Sequence, residues 1–217
     1  IIVIIFAGAL LVYKMFSDSK QENIISLDID VIKNETNNKE EQIPIKEIET
    51  FKGNDRPIAV MIDNHKAALP QGGLNNAYLV YEIIVEGGES RLMALFKGQD
   101  IEKIGPVRSA RHYFLDYALE NDAIYVHYGW SPQAQSDISA LDVDNINGIS
   151  ESTSSFWRTK DKKAPHNVAT STEKILEIAN EKKYRTNSTK ASVLNYVTDE
   201  VNLEDGITAS TIEIPYS

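Results

Sequence analysis

The chain has 217 residues, of which 42% are hydrophobic and 25% are charged, so it can form one medium-sized globular domain plus additional segments. It contains no cysteine, which excludes disulfides, thiol catalysis and cysteine-ligated zinc within this sequence. The formal net charge of −10 is concentrated in residues 17–55 and 194–217, and no basic stripe of the kind that binds nucleic acids is present.

The first sixteen residues form an apolar segment that we predict to be a membrane anchor. The run from Ile1 to Tyr13 carries no charge, and Tyr13 with Lys14 at its end is typical of a membrane interface. The run is shorter than the roughly 20 residues that cross a bilayer, but the sequence opens within it, and we expect both chain ends to be truncated. The alternative is a cleaved signal peptide, although no small-residue cleavage site follows. Either interpretation places the remaining chain at the extracytoplasmic face of the cell membrane.

Residues 17–55 are predicted to be a flexible acidic tether between the membrane and a folded domain. They contain ten acidic residues against five lysines and are rich in Asn and Gln. Such a segment cannot bury enough apolar surface to offset the entropy that is lost on ordering. We therefore predict that the folded domain spans residues 56–193.

Apolar runs and alternation predict four strands in this domain. Each run consists mainly of apolar, β-branched or aromatic residues and is followed by a polar or glycine-containing segment. The four predicted strands are Ile58–Ile62, Ala77–Val85, Arg91–Phe96 and Ala123–His127. A tight Gly-Gly connection is predicted between the second and the third strand.

Capping signals predict three helices. Ser109 precedes aromatic residues at helical spacing, so the first helix is predicted to begin there. Ser131 and Pro132 combine an N-cap with a proline in the first turn, which predicts the second helix. Thr170 and Glu173 have the spacing of a capping box, which predicts the third.

These elements predict an α+β fold. We expect a mixed β-sheet flanked by about three helices over residues 56–193. The alternating segments Ala191–Val197 and Thr208–Ile214 are predicted to be strands of a truncated second β-rich domain, which begins at about residue 194.

Arginines are concentrated in the polar segments of the domain, whereas the rest of the chain prefers lysine. Arg108 and Arg111 lie closest together, at the predicted start of the first helix. A guanidinium offers a rigid fork for carboxylate or phosphate, and two cations at a helix start oppose its dipole unless an anion lies between them. The alternative, which we favour slightly, is that each arginine pairs with an acid such as Glu82 or Glu86.

Glutamate and histidine side chains are the candidates for catalysis. Glu82 interrupts an apolar strand, so we expect it to be buried and paired. Glu82 or Glu86 with His127 are the candidate acid–base residues, or form a metal site with His127 or His65. We favour a buried Glu–Arg network, because no spacing here matches a known metal motif. We therefore predict no metal ion and no cofactor.

A loop of about 25 residues is predicted between the second and the third helix, and loops of this length tend to be functional or disordered. Trp157 beside Arg158 offers a flat apolar face next to a guanidinium, which suits a sugar ring or a headgroup. The alternative, which we favour slightly, is that Trp157 fills the core. His166 and Asn167 lie in the same loop.

Six short segments together form a specific pattern. They are Arg56–His65, Val80–Arg91, Ile104–Arg111, Ala123–His127, Phe156–Arg158 and Ala164–Asn167. In this order the segments closely resemble the YerB-like lipoprotein family, over about residues 53–193. Residues 194–217 resemble the opening of that family's C-terminal β domain.

The resemblance implies an exported domain that is usually anchored by a lipid, and it implies no reaction and no catalytic residue. Because this sequence has no cysteine to carry a lipid, we expect a transmembrane segment to replace it. The resemblance therefore supports the predicted location and leaves the function to be argued from the side chains.

The leading hypothesis is an envelope protein, not an enzyme, whose arginine-rich cleft holds an anionic glycan, a phosphate or a lipid headgroup. The alternatives are an extracytoplasmic hydrolase or transferase acting on such a polymer, and a scaffold for membrane proteins without a ligand. We predict no nucleic-acid partner. The predicted ligand-binding residues are Asp63, Asn64, His65, Arg91, Arg108, Ser109, Arg111, His127, Trp157, Arg158, His166 and Asn167.

Overall fold

The computed structural model describes residue 51, residues 53–199 and residues 210, 211 and 213. These residues all belong to one compact unit, Lys46–Ser217. The predicted anchor over residues 1–16 and almost all of the predicted tether lie outside the described residues. Within the described part of the chain, no helix combines the length and the hydropathy that a membrane crossing requires.

A five-stranded mixed sheet forms the centre of the fold. Its strand order is β2-β3-β1-β4-β5, in which β3 runs antiparallel to both of its neighbours and β1, β4 and β5 are parallel. The strands are β1 (Ile58–Asp63), β2 (Leu79–Ile84), β3 (Ser90–Phe96), β4 (Ile124–His127) and β5 (Asn145–Asn147). The first four confirm the predicted strands to within two residues, and β5 was not predicted.

Three helices cover the two faces of the sheet. They are α1 (Leu115–Glu120), α2 (Pro132–Ala140) and α3 (Thr172–Glu181). Leu115 and Ile138 from α1 and α2 pack with one set of alternating strand residues, and Ile175 from α3 packs with the other set. Because both faces of β1 are covered, every residue of β1 is buried and the strand reads as a continuous apolar run. The predicted α+β class is confirmed.

A second, two-stranded sheet occupies the segment that was predicted to be a long loop. It pairs β6 (Trp157–Arg158) with β7 (Val168–Ala169) in antiparallel orientation. The prediction of a structureless loop was therefore wrong, because β5, β6 and β7 all lie between α2 and α3. Strands of two or three residues carry too little periodicity to be read from sequence.

The helix starts confirm one predicted cap and correct two. The Ser131 hydroxyl accepts a hydrogen bond from the Ala134 N–H at 3.2 Å, as predicted for the cap of α2. The cap of α3 is Ser171, whose hydroxyl accepts from the Lys174 N–H, whereas the Thr170 hydroxyl donates to a carbonyl elsewhere. The Ser109 hydroxyl likewise donates to the Tyr128 carbonyl oxygen, so Ser109 does not cap a helix.

The end of the described chain differs from the prediction. Residues 191–197 form no strand, and Val193, Leu194 and Val197 are exposed. Alternating residues form a strand only where a neighbouring strand accepts their hydrogen bonds, and the described residues offer none to this segment. Most of Thr208–Ile214 lies outside the described residues, so the second β-rich domain remains a prediction.

Candidate functional site

Loops with a high density of polar side chains meet at one edge of the main sheet. The parallel strands β1 and β4 both end at this edge, and β3, which runs in the opposite direction, begins there. In open sheets that contain parallel strands, ligands commonly bind outside the carboxyl ends of those strands. The register of β1 with β3 places Asp63 directly opposite Arg91 at this position.

Asp63 is the central carboxylate of this edge, and it is only 4% exposed. Its Oδ2 atom lies 2.8 Å from Nδ1 of His166 and 3.2 Å from Nε of Arg108. Its Oδ1 atom accepts a hydrogen bond of 3.1 Å from the backbone N–H of His65. A single buried carboxylate thus joins three segments that are distant in sequence.

Three arginines lie close together at this edge, and we call Arg91, Arg108 and Arg111 the arginine cluster: Arg108 pairs with Asp63, and the charges of Arg108 and Arg111 act on Arg91. Arg91 is 7% exposed and donates a 2.6 Å hydrogen bond from Nη1 to the Ser109 carbonyl oxygen. Burial, followed by the positive charges of Arg111 and Arg108, lowers the pKa of Arg91 below its ordinary value. Three like charges are therefore close enough to act on one another.

Arg111 is the member of the cluster that has its own carboxylate. Its Nε atom donates to both carboxylate oxygens of Glu86, at 2.8 and 2.9 Å, and its Nη1 atom donates to the Ala110 carbonyl oxygen. Burial favours a higher pKa for Glu86, but its backbone hydrogen bond and the Arg111 guanidinium lower the pKa overall. A Glu–Arg contact was predicted and is present, but Glu86 is exposed, so the prediction of a buried Glu–Arg network is wrong for this pair.

Two buried polar groups at the cluster, Nε of Arg108 and the hydroxyl of Tyr125, donate no hydrogen bond. The ion pair of Arg108 with Asp63 therefore does not have the geometry of a hydrogen bond. Burial raises the pKa of Tyr125, and a hydrogen bond from the Arg111 backbone, with the charges of Arg91 and Arg111, opposes that rise only in part, so the hydroxyl keeps its proton. Buried polar groups are rarely left unpaired, and each of these two is a donor.

Two histidines stack beside the same carboxylate. The rings of His65 and His166 have centroids 4.4 Å apart and an interplanar angle of 15°. Nδ1 of His65 accepts a 3.0 Å hydrogen bond from the Ala67 N–H, and its Nε2 lies 3.8 Å from Oε1 of Glu89. The structure thus brings together Asp63, His65, His166 and the arginine cluster.

Arg158 and Asn167 hold the conformation of the 157–167 segment, in which Trp157 is half-buried on β6. Nη1 of Arg158 donates to Oδ1 of Asn167 at 2.7 Å, and Nδ2 of Asn167 donates to the carbonyl oxygens of Thr159 and Lys162. The Arg158 guanidinium also lies 5.8 Å from the centre of the Tyr128 ring. These contacts fix the loop that carries His166, which explains why polar residues cluster in this segment.

His127 does not belong to the accessible group, contrary to the prediction that it shares a pocket with the arginines. It is fully buried, and its ring nitrogens lie 2.8 Å from the Gly129 carbonyl oxygen and 3.2 Å from Oδ1 of Asn145. Burial lowers the pKa of His127, which favours the neutral ring. With both nitrogens engaged inside the protein, His127 cannot exchange protons with a bound substrate.

Glu82 is exposed, which corrects the prediction that it is buried. β2 is an outermost strand of the sheet, next to β3, and only one of its faces is covered, so its residues alternate between half-buried and exposed. Oε1 of Glu82 accepts hydrogen bonds from Nδ2 of Asn64 and from the hydroxyl of Ser90. Glu82 and Asn64 therefore form a polar margin beside the site.

Sequence reasoning missed Gln71, Lys162 and Tyr125. Nε2 of Gln71 donates to the Asp63 carbonyl oxygen, and Nζ of Lys162 donates to the Pro70 carbonyl oxygen, which ties two loops together. Gln71 carried only a turn signal and Tyr125 only a strand signal. No local pattern separates such residues from ordinary loop and core residues.

Among the described residues, no group of three or more His, Cys, Asp or Glu side chains is placed to hold a metal ion. A cavity of about 460 Å³ lies at the opposite edge of the sheet, lined by residues that include Ile58, Phe96 and Thr172. It begins where β1 starts and β3 ends, so it is separate from the arginine cluster.

Three comparisons relate the chain to known proteins. The family described as "Protein of unknown function (DUF3048) N-terminal domain" matches residues 45–185. YerB of Bacillus subtilis (strain 168), which its name describes as a candidate lipoprotein, is 43% identical over 130 residues, which are 60% of this chain and 39% of that protein. The crystal structure of B. subtilis YerB superposes with a TM-score of 0.65 and 39% identity, over 71% of this chain and 53% of that one. The chain thus spans only part of the length of these relatives.

Proposed function

The chain belongs to the DUF3048 family, whose function is unknown, and from this premise we propose that it binds an anionic ligand of the cell envelope through the arginine cluster. The observation that carries the proposal is a set of three arginines at a partly buried edge of the sheet, where the charges of Arg108 and Arg111 act on the buried Arg91. Arg108 and Arg111 pair with Asp63 and Glu86, whereas the guanidinium of Arg91 donates to the Ser109 carbonyl oxygen.

The local charge balance favours an anion. Desolvation makes an uncompensated buried charge costly, and a bound anion would remove that cost. Nε of Arg108 faces the Asp63 carboxylate without the geometry of a hydrogen bond, and the buried Tyr125 hydroxyl donates to no acceptor among the described residues; anionic oxygens are the acceptors that such donors prefer. The alternative of purely structural ion pairs accounts for Arg111 with Glu86 and for Arg108 with Asp63 but leaves the Tyr125 hydroxyl unexplained.

The shape of the guanidinium indicates which anionic groups the ligand carries. Its fork matches the oxygens of a phosphate or a carboxylate, and several forks around one site suit a tetrahedral phosphate. A phosphate-bearing glycan and a phospholipid headgroup share this chemistry. We therefore take inorganic phosphate and pyrophosphate as the probes for this class of ligand.

The extracytoplasmic location is supported by the relative and by the sequence. YerB is named as a lipoprotein, and lipoproteins are attached to membranes. The apolar segment over residues 1–16 would supply a corresponding attachment in this chain. A phosphate-bearing envelope polymer or a headgroup would be within reach of a domain in this position.

Titration calorimetry with phosphate and pyrophosphate tests the proposal. We expect saturable binding, and we expect Arg108→Gln to weaken it by about 10- to 100-fold, because a charged hydrogen bond contributes roughly 1.5–3 kcal/mol. Arg185→Gln is the matched control: Arg185 pairs with Asp122 before the start of β4, at the opposite edge of the sheet.

The outcomes separate the hypotheses. Equal loss of affinity in the Arg108 and Arg185 variants would assign the effect to charge in general and contradict the proposed site. Absence of binding to both anions would reject the proposal and favour a scaffold without a ligand. A preference for vesicles that contain anionic phospholipid over soluble wall fragments would identify a headgroup as the source of the phosphate.

A further inference from the structure

His166 has the arrangement of a general base. Its Nδ1 atom faces the buried carboxylate of Asp63 at 2.8 Å, and its side chain is 19% exposed. A carboxylate on Nδ1 fixes the ring orientation and the tautomer, which leaves Nε2 as the nitrogen that can accept a proton. His127 is the opposite case, because both of its nitrogens are engaged in the core.

The arginine cluster is adjacent to this histidine. Oδ2 of Asp63 lies 2.8 Å from Nδ1 of His166 and 3.2 Å from Nε of Arg108. The two nitrogens are therefore no farther apart than the sum of these two distances. An anion held by Arg108 would therefore lie close to the His166 ring. General bases act within hydrogen-bond reach of the group they deprotonate, directly or through one water.

A purely structural role explains the Asp63–His166 contact less well. The loop that carries His166 is already fixed by Arg158 with Asn167, and by Lys162 with the Pro70 carbonyl oxygen. The ring stacked on His166, His65, accepts a backbone N–H at Nδ1, so its own Nε2 carries the proton. His65 can therefore donate a hydrogen bond from Nε2, whereas His166 can accept one there.

We infer that His166 and Asp63 form an acid–base pair that hydrolyses a phosphate diester held by the arginine cluster. His166 Nε2 takes a proton from a water molecule, whose oxygen bonds to phosphorus while the bond from phosphorus to the leaving alcohol oxygen breaks. The proton on His166 then passes to that oxygen, so one diester and one water give a phosphate monoester and an alcohol. The guanidiniums stabilise the charge that develops on the phosphoryl oxygens.

In this inference, which rests on the proposed anion site, His166 is the catalytic residue and Asp63 is a positioning residue. The charged and titratable groups around His166 are Asp63, His65, Arg108 and, through His65, Glu89. Removal of a general base typically lowers the rate by about 10²–10⁴-fold.

Hydrolysis of bis(4-nitrophenyl) phosphate tests the inference through the absorbance of the released 4-nitrophenolate. We expect His166→Ala to lower kcat at least 100-fold, and added imidazole to restore part of the lost rate, because imidazole can occupy the vacated position. His112→Ala is the matched control and should retain the parent rate: His112 is exposed, and the ring it contacts is that of Tyr113. His166→Gln is a second variant in case the alanine variant does not fold, with folding checked by circular dichroism.

Asp63 is tested through the rescue. Because Asp63 would orient the added imidazole as it orients the ring of His166, we expect the double variant Asp63→Asn/His166→Ala to show no rescue. A structural role for Asp63 alone would leave the rescue intact and overturn its positioning role. Absence of hydrolysis by the parent protein, or an unchanged rate in the His166 variants, would overturn the inference, whereas phosphate binding in the calorimeter would still uphold the proposed anion site.

Discussion

At the level of single residues, the arginines have different ion-pair partners at the two edges of the sheet. Arg56 is 8% exposed, and its guanidinium pairs with the carboxylates of Asp122 and Asp144. Arg185 also pairs with Asp122, so two arginines meet two aspartates at this edge. In the arginine cluster, Arg108 pairs with Asp63 and Arg111 with Glu86, whereas Arg91 donates to a backbone carbonyl oxygen. The balanced edge has the composition expected of a structural ion network, and the unbalanced edge has the composition expected of an anion site.

The ion pairs of Asp122 at the balanced edge are expected to make the free energy of unfolding depend on pH. Burial favours a higher pKa for Asp122, but hydrogen bonds from Arg185 and Ser188, with the charge of Arg56, lower the pKa overall. A carboxyl with a depressed folded pKa stabilises the fold above its unfolded pKa of about 3.9, and this stabilisation is lost as the pH falls through the folded value. We expect Asp122→Asn to reduce the free energy of unfolding by about 2 kcal/mol at pH 7.

Urea unfolding at a series of pH values measures this effect. The difference between parent and Asp122→Asn should be largest near neutral pH and should shrink as the pH falls below about 4. Asp116→Asn is a suitable comparison, because Asp116 is an exposed aspartate in the first turn of α1. A difference that does not change with pH would contradict an electrostatic origin.

Residue identity was predictable in part. Asp63, His65, His166 and the arginine cluster were all candidates, because polar residues that end strands or interrupt apolar patterns stand out in a sequence. His127 was misplaced, since a strand residue that alternates into the core looks the same in sequence as one at a site. Only the covering of both sheet faces decides between these two positions, and that covering is a tertiary property.

At the level of elements, the segment from Ile104 to Arg108 holds the two sheets together. Ile104 and Thr170 exchange backbone hydrogen bonds, and the Val107 N–H donates to the carbonyl oxygen of Val168 in β7. On its other side, the Arg108 N–H donates to the Met61 carbonyl oxygen of β1. The same segment therefore places Arg108 and anchors the small sheet.

Gly105 makes this close approach possible. Its φ is +146°, and a Cβ atom there would lie 2.5 Å from the Val168 carbonyl oxygen and 3.1 Å from the Val107 nitrogen. Both neighbours are backbone atoms, which cannot turn aside as a side chain can. We expect Gly105→Ala to lower the free energy of unfolding by roughly 3 kcal/mol or more.

Gly88→Ala is the matched control for this prediction. Gly88 has a φ of +76°, but no atom lies within 4 Å of the position that its Cβ would occupy, so only the conformational cost of about 1 kcal/mol remains. Thermal or urea unfolding of the two variants gives the comparison. Equal destabilisation would show that the close contact at Gly105 contributes nothing.

Strands were predicted correctly where the apolar or alternating segment was long, and they were missed where it was short. The four longer strands were predicted because each consists of an apolar or alternating run of four residues or more. β5, β6 and β7 have two or three residues each, and their pairing depends on neighbours that are remote in sequence. Ser171 and Thr170 are both good N-caps, and only the backbone path selected Ser171.

At the level of the whole molecule, the five strands of the main sheet and the three helices that cover it all lie within residues 58–181. Its first strand begins at Ile58 and the last helix ends at Glu181, and Arg56 and Ser188 join the flanking segments to Asp122. We expect a fragment of residues 51–199 to fold with a single cooperative transition, as small single domains usually do.

Calorimetry and circular dichroism of that fragment test the expectation. Its unfolding midpoint should lie within about 4 °C of the midpoint of the 217-residue chain, which corresponds to roughly 1 kcal/mol or less. Two separate transitions in the fragment would contradict a single core. A large loss of stability would show that residues outside 51–199 contribute to the fold.

The family and fold class were predictable because spaced motifs and long periodic runs can be recognised in the sequence alone. The ligand was not predictable, because a binding site is defined by which charges remain unbalanced after folding. Arg108 and Arg111 look alike in the sequence. Only Arg111 has its own carboxylate, Glu86, whereas Arg108 shares Asp63 with His166.

The contact between Phe51 and Tyr196 has a mechanical consequence. Their ring centroids are 4.7 Å apart, and the ring of Phe51 also meets that of Tyr78 at 5.4 Å. Phe51 and Tyr196, close to the two ends of the described range 53–199, therefore lie side by side. A force that pulls these two positions apart would separate the aromatic contact first. The aromatic contact would therefore protect the sheet from such a force until the two rings separate.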